Sequence, residues 1–223
     1  MLKRGFIGVH SCKMKYMSIE RRVNAVEELF AGLDEEIKTF QSHSGLSCLS
    51  GCGKCCVHPD INASPLEFLP WAFHHFLNET AETTLKDLQA KLGSSCFLYR
   101  PHSASDTSKG SCGHYKYRGL ICRLFGYGAN RDKLGSLRLA TCKIIKENQH
   151  DLYESTQEAM KNGLYVPVFT DYYMKLNQID FRLGNTIEPI NKAMVLAIEE
   201  VLHYYAYRPF PESYKGSAKP SQF

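Results

Sequence analysis

The sequence predicts a mostly α protein, with helices flanking an irregular Cys-rich centre that holds at most a short β-hairpin. Three observations carry this expectation. Apolar residues recur at three- and four-residue spacing on both sides of residues 45–148, the period of a single buried helix face. Residues 94–148 give up that period for Gly, Ser and Asp turn signals. Eight of the nine Cys fall between Cys48 and Cys142.

The elements follow in order. Val23, Val26, Leu29, Phe30, Leu33, Ile37 and Phe40 form one stripe, and Glu20, Glu27, Glu28, Asp34, Glu35 and Glu36 lie mostly off it. That is an amphipathic helix running into Gly45. A second helix starts at Ser64-Pro65-Leu66-Glu67, where Ser64 caps, Pro65 has no N–H to lose, and Glu67 completes a capping box. Its Leu66, Leu69, Trp71, Phe73, Phe76 and Leu77 are apolar almost all round, so it should be central. A third carries Leu85, Leu88 and Leu92 and stops at Gly93. Leu120–Phe125 is a short helical candidate, and Leu137 and Leu139 beside Gly135 a strand pair.

Beyond Cys142 helices resume. One runs roughly from Asp151 to Lys161 and stops at Asn162-Gly163. Another follows a Thr170 cap, and a long one carries Ile187, Ile190, Met194, Ile198, Val201 and Tyr205. The tail from Pro209 to Phe223 holds three Pro and no periodicity, so disorder is expected there. The organisation expected is an N-terminal helical segment (1–44), a Cys-cluster core (45–148), C-terminal helices packed on it (149–208) and the tail (209–223). There is no internal repeat.

Composition excludes several classes. At 223 residues and 43% apolar content, the chain can bury a core and is not of disordered type. No apolar run approaches the ~18 residues of a membrane span. The apolar part of residues 1–16 is too short for a secretory signal. A cytoplasmic address is expected, where thiols stay reduced. A disulfide framework or a redox pair at Cys52-x-x-Cys55 therefore fits poorly. The latter also needs a preceding strand and a following helix.

The Cys pattern is the informative one. Four lie within nine residues, Cys48-Leu-Ser-Gly-Cys52-Gly-Lys-Cys55-Cys56, and Cys96, Cys112, Cys122 and Cys142 follow. Only Cys12 stands apart. Buried structural Cys would scatter, whereas soft metals take several thiolates from one loop. Gly51 and Gly53 let the backbone fold tightly and aim amides at sulfur. Lys54 adds positive charge beside the thiolates, which lowers thiol pKa values. The adjacent pair Cys55-Cys56 diverges and does not suit one tetrahedral ion. Two nearby metals or one polynuclear cluster would use both, and eight thiolates divide evenly into two sites of four. The gaps of 39, 15, 9 and 19 residues between the later Cys suit zinc or an iron–sulfur cluster alike. Either would make this a metal-organised centre.

With these stretches, and with Cys96-Phe-Leu, Cys112-Gly-His-Tyr115 and Arg118-Gly-Leu-Ile-Cys122-Arg123-Leu-Phe125, the chain resembles the YkgJ-type cysteine-cluster family. That family is named for a CxxCxxCC motif and is taken to chelate zinc or iron. Three residues separate Cys48 from Cys52 where the family label has two, and Gly119 stands where the family has Pro. The resemblance implies metal chelation through Cys48, Cys52, Cys55, Cys56, Cys96, Cys112, Cys122 and Cys142, with metal ions as partners. Some relatives look like iron–sulfur proteins that methylate lysines of other proteins, so an enzymatic reading and a protein partner stay open.

Residues 118–146 hold seven basic side chains against one acid, Asp132, beside Tyr115, Tyr117, Phe125 and Tyr127. Nucleic-acid binding is available to such a stretch. Pairing of Arg118 and Arg123 with the charge of anionic sulfur, behind the ligands themselves, is the stronger reading. His43, His58 and His114 lie near the Cys but are expected to be ordinary residues, and His74-His75 to be partly exposed or satisfied. No phosphate loop, Ser–His–Asp set or HExxH pair appears. Eight ligating thiolates would turn the formal +4 into −4.

Overall fold

The computed structural model describes residues 17–58, 60–106 and 109–211. Cys12 and most of the expected tail lie outside them. The chain begins with α1 (Ile19–Ser44), where the Ser18 hydroxyl accepts the Arg21 amide (3.3 Å). The helix closes at Gly45 (φ +69°), whose N–H donates to the Gln41 carbonyl. The predicted stripe is its buried face.

After β1 (Asn62–Ala63), Ser64 and Glu67 form the expected capping box over a 3-10 turn (Pro65–Phe68), which leads into α2 (Leu69–Leu77). α3 (Ala81–Gln89) ends earlier than its Leu spacing suggested: Leu92 is half exposed, and Gly93 (φ +80°) turns the chain. Then come β2 (Tyr99–Pro101), β3 (Gly110–Cys112), α4 (Leu120–Leu124), β4 (Ala129–Arg131) and β5 (Leu137–Leu139). α5 (Lys143–Asn148), α6 (His150–Lys161), α7 (Phe169–Ile179), α8 (Phe181–Asn185), β6 (Glu188–Pro189) and α9 (Ile190–Tyr205) complete the described chain.

Among the described residues the chain is mostly helical with small strand pairs, as predicted, and there are three such pairs where at most one hairpin is expected. β4–β5 turns at Gly135 (φ +81°) as expected. β2–β3 and the distant pair β1–β6 have two or three residues per strand and show no alternation. Thr170 is not a cap; it lies inside α7, whose first turn follows Val168. Ile187 is exposed ahead of α9 rather than part of it.

Two cores result. The larger is built by α1, α2, α3, α7 and α9 around Trp71, Phe68, Leu69, Met194 and Ile198, each fully buried. The smaller joins Phe40 at the end of α1 to Leu46, Ala129, Leu139, Ile145, Met160 and Val166. Tyr127 packs against both. Among the described residues no helix is long and apolar enough to cross a membrane.

Candidate metal centre

The first Cys group occupies the loop between α1 and β1. Its start is clamped to the end of α5: the Ser47 amide donates to Gln149 Oε1 (3.0 Å), and Gln149 Nε2 donates back to the Ser47 carbonyl (2.6 Å). The Cys48 amide donates to the Tyr127 hydroxyl (2.8 Å). Gly51 takes φ +69°, a conformation glycine adopts freely. The Gly53 carbonyl accepts from the Cys56 and Val57 amides (2.9 and 3.2 Å), which sets Cys55 and Cys56 on one tight turn. Gly53 has a second reason to lack a side chain, because a Cβ there would overlap the Tyr99 ring.

Backbone hydrogen bonds bring the next Cys to this turn. The Cys96 amide donates to the Cys56 carbonyl (3.1 Å), and the Gly110 amide to the Gly51 carbonyl (3.0 Å). β2–β3 places Cys112 opposite Tyr99, three residues beyond Cys96. The segment is fixed from behind by buried Asn191 of α9. That side chain accepts from the Phe97 amide (2.8 Å) and donates to the Ser95 and Lys91 carbonyls (3.0 and 3.1 Å).

Cys122 sits in α4, whose first turn is held by the carboxylate of the Ser64–Glu67 capping box. Glu67 Oε1 accepts the Ser64 amide (2.7 Å), while Oε2 accepts the Leu120 amide (2.6 Å). Cys142 is the N-cap of α5, and its Sγ accepts the Ile145 amide (3.4 Å).

All eight Cys from Cys48 to Cys142 are free thiols, with Cys48 and Cys55 exposed and the others partly buried. They stand close enough to shift one another. Burial raises the Cys48 thiol first, and Cys52, Cys55 and Cys142 add to it. Cys55 and Cys56 share a hydrogen bond that lowers Cys55 and raises Cys56, and burial with Cys96 and Cys122 raises Cys56 further. Burial pushes Cys96 up to about 11, with Cys112 contributing. Cys122 is raised by burial and then by Cys96, Glu67, Cys55 and Cys112. Mutual repulsion of this kind is what a bound cation reverses.

The positive charge set against the sulfurs comes chiefly from arginines. Arg118 lowers Cys55 and Cys112, and Arg100 and Arg123 also act on Cys112, though burial leaves Cys112 raised overall. Lys54 is exposed beside the turn. Arg123 is buried, pairs with Asp34, and donates to the Arg118 and Lys116 carbonyls (3.1 and 2.5 Å). Arg118 lies over the Tyr115 ring, 3.7 Å from its centroid. Two further bases of residues 118–146 are paired, Arg138 with Asp132 and Lys143 with Glu147.

The three flanking histidines have other partners. His43 Nδ1 meets the Thr39 carbonyl, His58 Nδ1 accepts the Asp60 amide, and His114 Nδ1 accepts Trp71 Nε1–H (3.2 Å). His74 and His75 are part-buried, against Asn78 and against Thr80 and Thr84 respectively.

Among the described residues, no three Cys, His, Asp or Glu side chains converge as ligands of one ion. The sulfurs are neighbours rather than a closed coordination sphere. They fit zinc or iron in kind, as soft donors gathered from five segments.

Sequence reasoning missed Tyr99, Arg100, Gln149 and Asn191, and it named Tyr127 only as an aromatic beside the basic stretch, not as a partner of Cys48. Arg100 and Tyr127 carried a signal, lying four and five residues beyond Cys96 and Cys122. Asn191 carried none, since it reads as an ordinary polar residue near a helix start.

Fold and site together define a helical protein wrapped round a multi-cysteine centre. The family follows from the comparison with known proteins. Residues 47–158, half of the chain, match the CxxCxxCC family, described as "Putative zinc- or iron-chelating domain", and the chain belongs to that family. No curated protein and no solved structure matched it significantly.

Proposed function

We propose that the protein chelates zinc or iron through Cys48, Cys52, Cys55, Cys56, Cys96, Cys112, Cys122 and Cys142. Family membership supports a zinc- or iron-chelating role. One observation carries the assignment to these eight: thiols drawn from five separate segments lie within electrostatic reach of one another. In a protein without metal such a gathering is unfavourable, because the groups disfavour each other's ionised form. A soft cation turns that cost into ligation, since each thiol binds as thiolate and releases its proton. Arg118 and Arg123 then offset the remaining negative charge. The segment 45–148 is the unit that the metal organises, and the helices on either side hold it.

The test is anaerobic purification with elemental analysis and a visible spectrum. Brown protein with iron and acid-labile sulfide identifies an iron–sulfur centre, and colourless protein with zinc identifies simple thiolate sites. Cys12→Ser should leave metal content unchanged, whereas Cys55→Ser should lower it. Protein with neither metal, and with disulfides formed among the eight, would overturn the reading.

A further inference from the structure

A cavity of about 200 Å³ opens between α1 and residues 115–118, part of the segment that joins Cys112 to Cys122. Phe30 and Ala31 of α1 and the Tyr117 ring give it apolar walls, and Ala31 and Tyr115 are its exposed members. Its charged groups are not equally served. Glu67 is buried, with one oxygen on the Ser64 amide and the other on the Leu120 amide. Glu27 pairs with Lys116 (3.6 Å) and Asp34 with Arg123, which also donates to two carbonyls. Arg118 differs. It is largely buried and reaches Asp34 only at 3.9 Å, beyond hydrogen-bond length. Its Nε–H is buried with no partner among the described residues. One face of the guanidinium lies on the Tyr115 ring, 3.7 Å from the centroid, which leaves its N–H edges for an acceptor in its own plane. A buried cationic N–H without an acceptor is unfavourable, and an anionic ligand would remove that cost.

We infer that this cavity binds a small organic acid, whose carboxylate accepts from the Arg118 guanidinium while its flat apolar body rests against Phe30, Ala31 and Tyr117. The lining carboxylates already have partners, so an ammonium group would have to displace one, whereas a carboxylate meets Arg118 at no such cost. The volume lies below the ~300–1,000 Å³ of drug-sized sites, which limits the occupant to the size of an amino acid or a single-ring acid. No metal takes part in this contact, so the site stands apart from the chelation reading.

The full chain, purified anaerobically with its metal, is titrated calorimetrically with benzoate, with benzylamine (similar shape, opposite charge) and with inorganic phosphate. Benzoate should bind once per chain, about tenfold or more tightly than either of the others, and more weakly as salt rises. Arg118→Gln should weaken benzoate about tenfold or more. Arg118→Lys should restore only part of that affinity, because an ammonium lacks the planar fork. Ala31→Phe fills the cavity and leaves Arg118 in place; it should abolish binding with metal content unchanged, and it decides the matter if Arg118→Gln fails to accumulate. Absence of benzoate binding, equal binding of benzylamine, or undiminished benzoate binding by Ala31→Phe would overturn the inference. So would binding to metal-free protein alone, since the sulfurs would then be the partners of Arg118 in the loaded form. Metal content, measured on every preparation, tests chelation separately.

Discussion

Asn191 holds the backbone of residues 91–97 from the far side of the molecule. Its four hydrogen bonds tie α9 to the turn that leads into Cys96. Asn191→Ala leaves a buried amide and carbonyls without partners, at a cost of about 1–3 kcal/mol. Urea unfolding should read that loss, and metal retention against a chelator should fall with it. Unchanged retention alongside lost stability would separate Asn191 from the centre. Glu67 makes a pH prediction at the same scale. Burial raises its carboxyl above the ordinary range, while the Ser64 and Leu120 amides pull it down. A carboxyl raised in the folded state holds its proton more tightly there than in the unfolded chain. Stability therefore falls as pH rises from the ordinary Glu range toward the folded value, and is unaffected below that range. Glu67→Gln should flatten this part of the stability curve; parallel curves for variant and parent would remove Glu67 as the cause.

Among the elements, the β2–β3 hairpin has the least tolerance. A Cβ on Gly110 would lie 2.5 Å from the Arg100 carbonyl oxygen and against the Tyr99 ring. The obstruction is backbone, so it cannot swing away. Gly110→Ala should cost about 1–3 kcal/mol and lower metal content, measured by thermal unfolding and elemental analysis of the same preparation. This hairpin also marks where the sequence stopped being legible. α1, α2, α6 and α9 could be read because each repeats its apolar spacing over two turns or more, and the capping box at Ser64–Glu67 was explicit. Tyr99–Pro101 and Gly110–Cys112 are too short to alternate, and their pairing follows from contacts to the Cys48–Cys56 loop. Thr170 misled because a good capping residue two positions past the N-cap looks the same in sequence as one at the boundary. The eight candidate ligands were legible as a cluster in the chain. The supporting side chains, Asn191 and Gln149 above all, were not: Asn191 comes from a helix with no Cys, and Gln149 closes α5 as one more polar residue seven positions past Cys142.

At the scale of the whole molecule, there are two cores, and one is tied by ion pairs that involve no Cys. The larger one closes through α1, α2 and α9, with Arg22 of α1 bonded to Asp180 (2.7 Å) and to Glu200 (2.9 Å) of α9. Structural zinc contributes on the order of 10–16 kcal/mol, comparable with the ~5–15 kcal/mol stability of a domain. Chelation should therefore open residues 45–148 to limited proteolysis while fragments containing α1 and α9 persist. A metal-free protein that resists protease as well as the loaded one would contradict this.

The β1–β6 pair gives the molecule one more property. Asn62–Ala63 and Glu188–Pro189 are paired strands far apart in the sequence, so Cys96, Cys112, Cys122 and Cys142 lie on a closed loop rather than on a free arm. The remaining four precede it, tethered by α1. A segment anchored at both ends explores little volume when its ligands let go, and loop-closure entropy grows only slowly with length. The released thiols thus stay at high effective concentration around the vacated position. Recapture of metal would then be an encounter within one loop whose two ends stay paired.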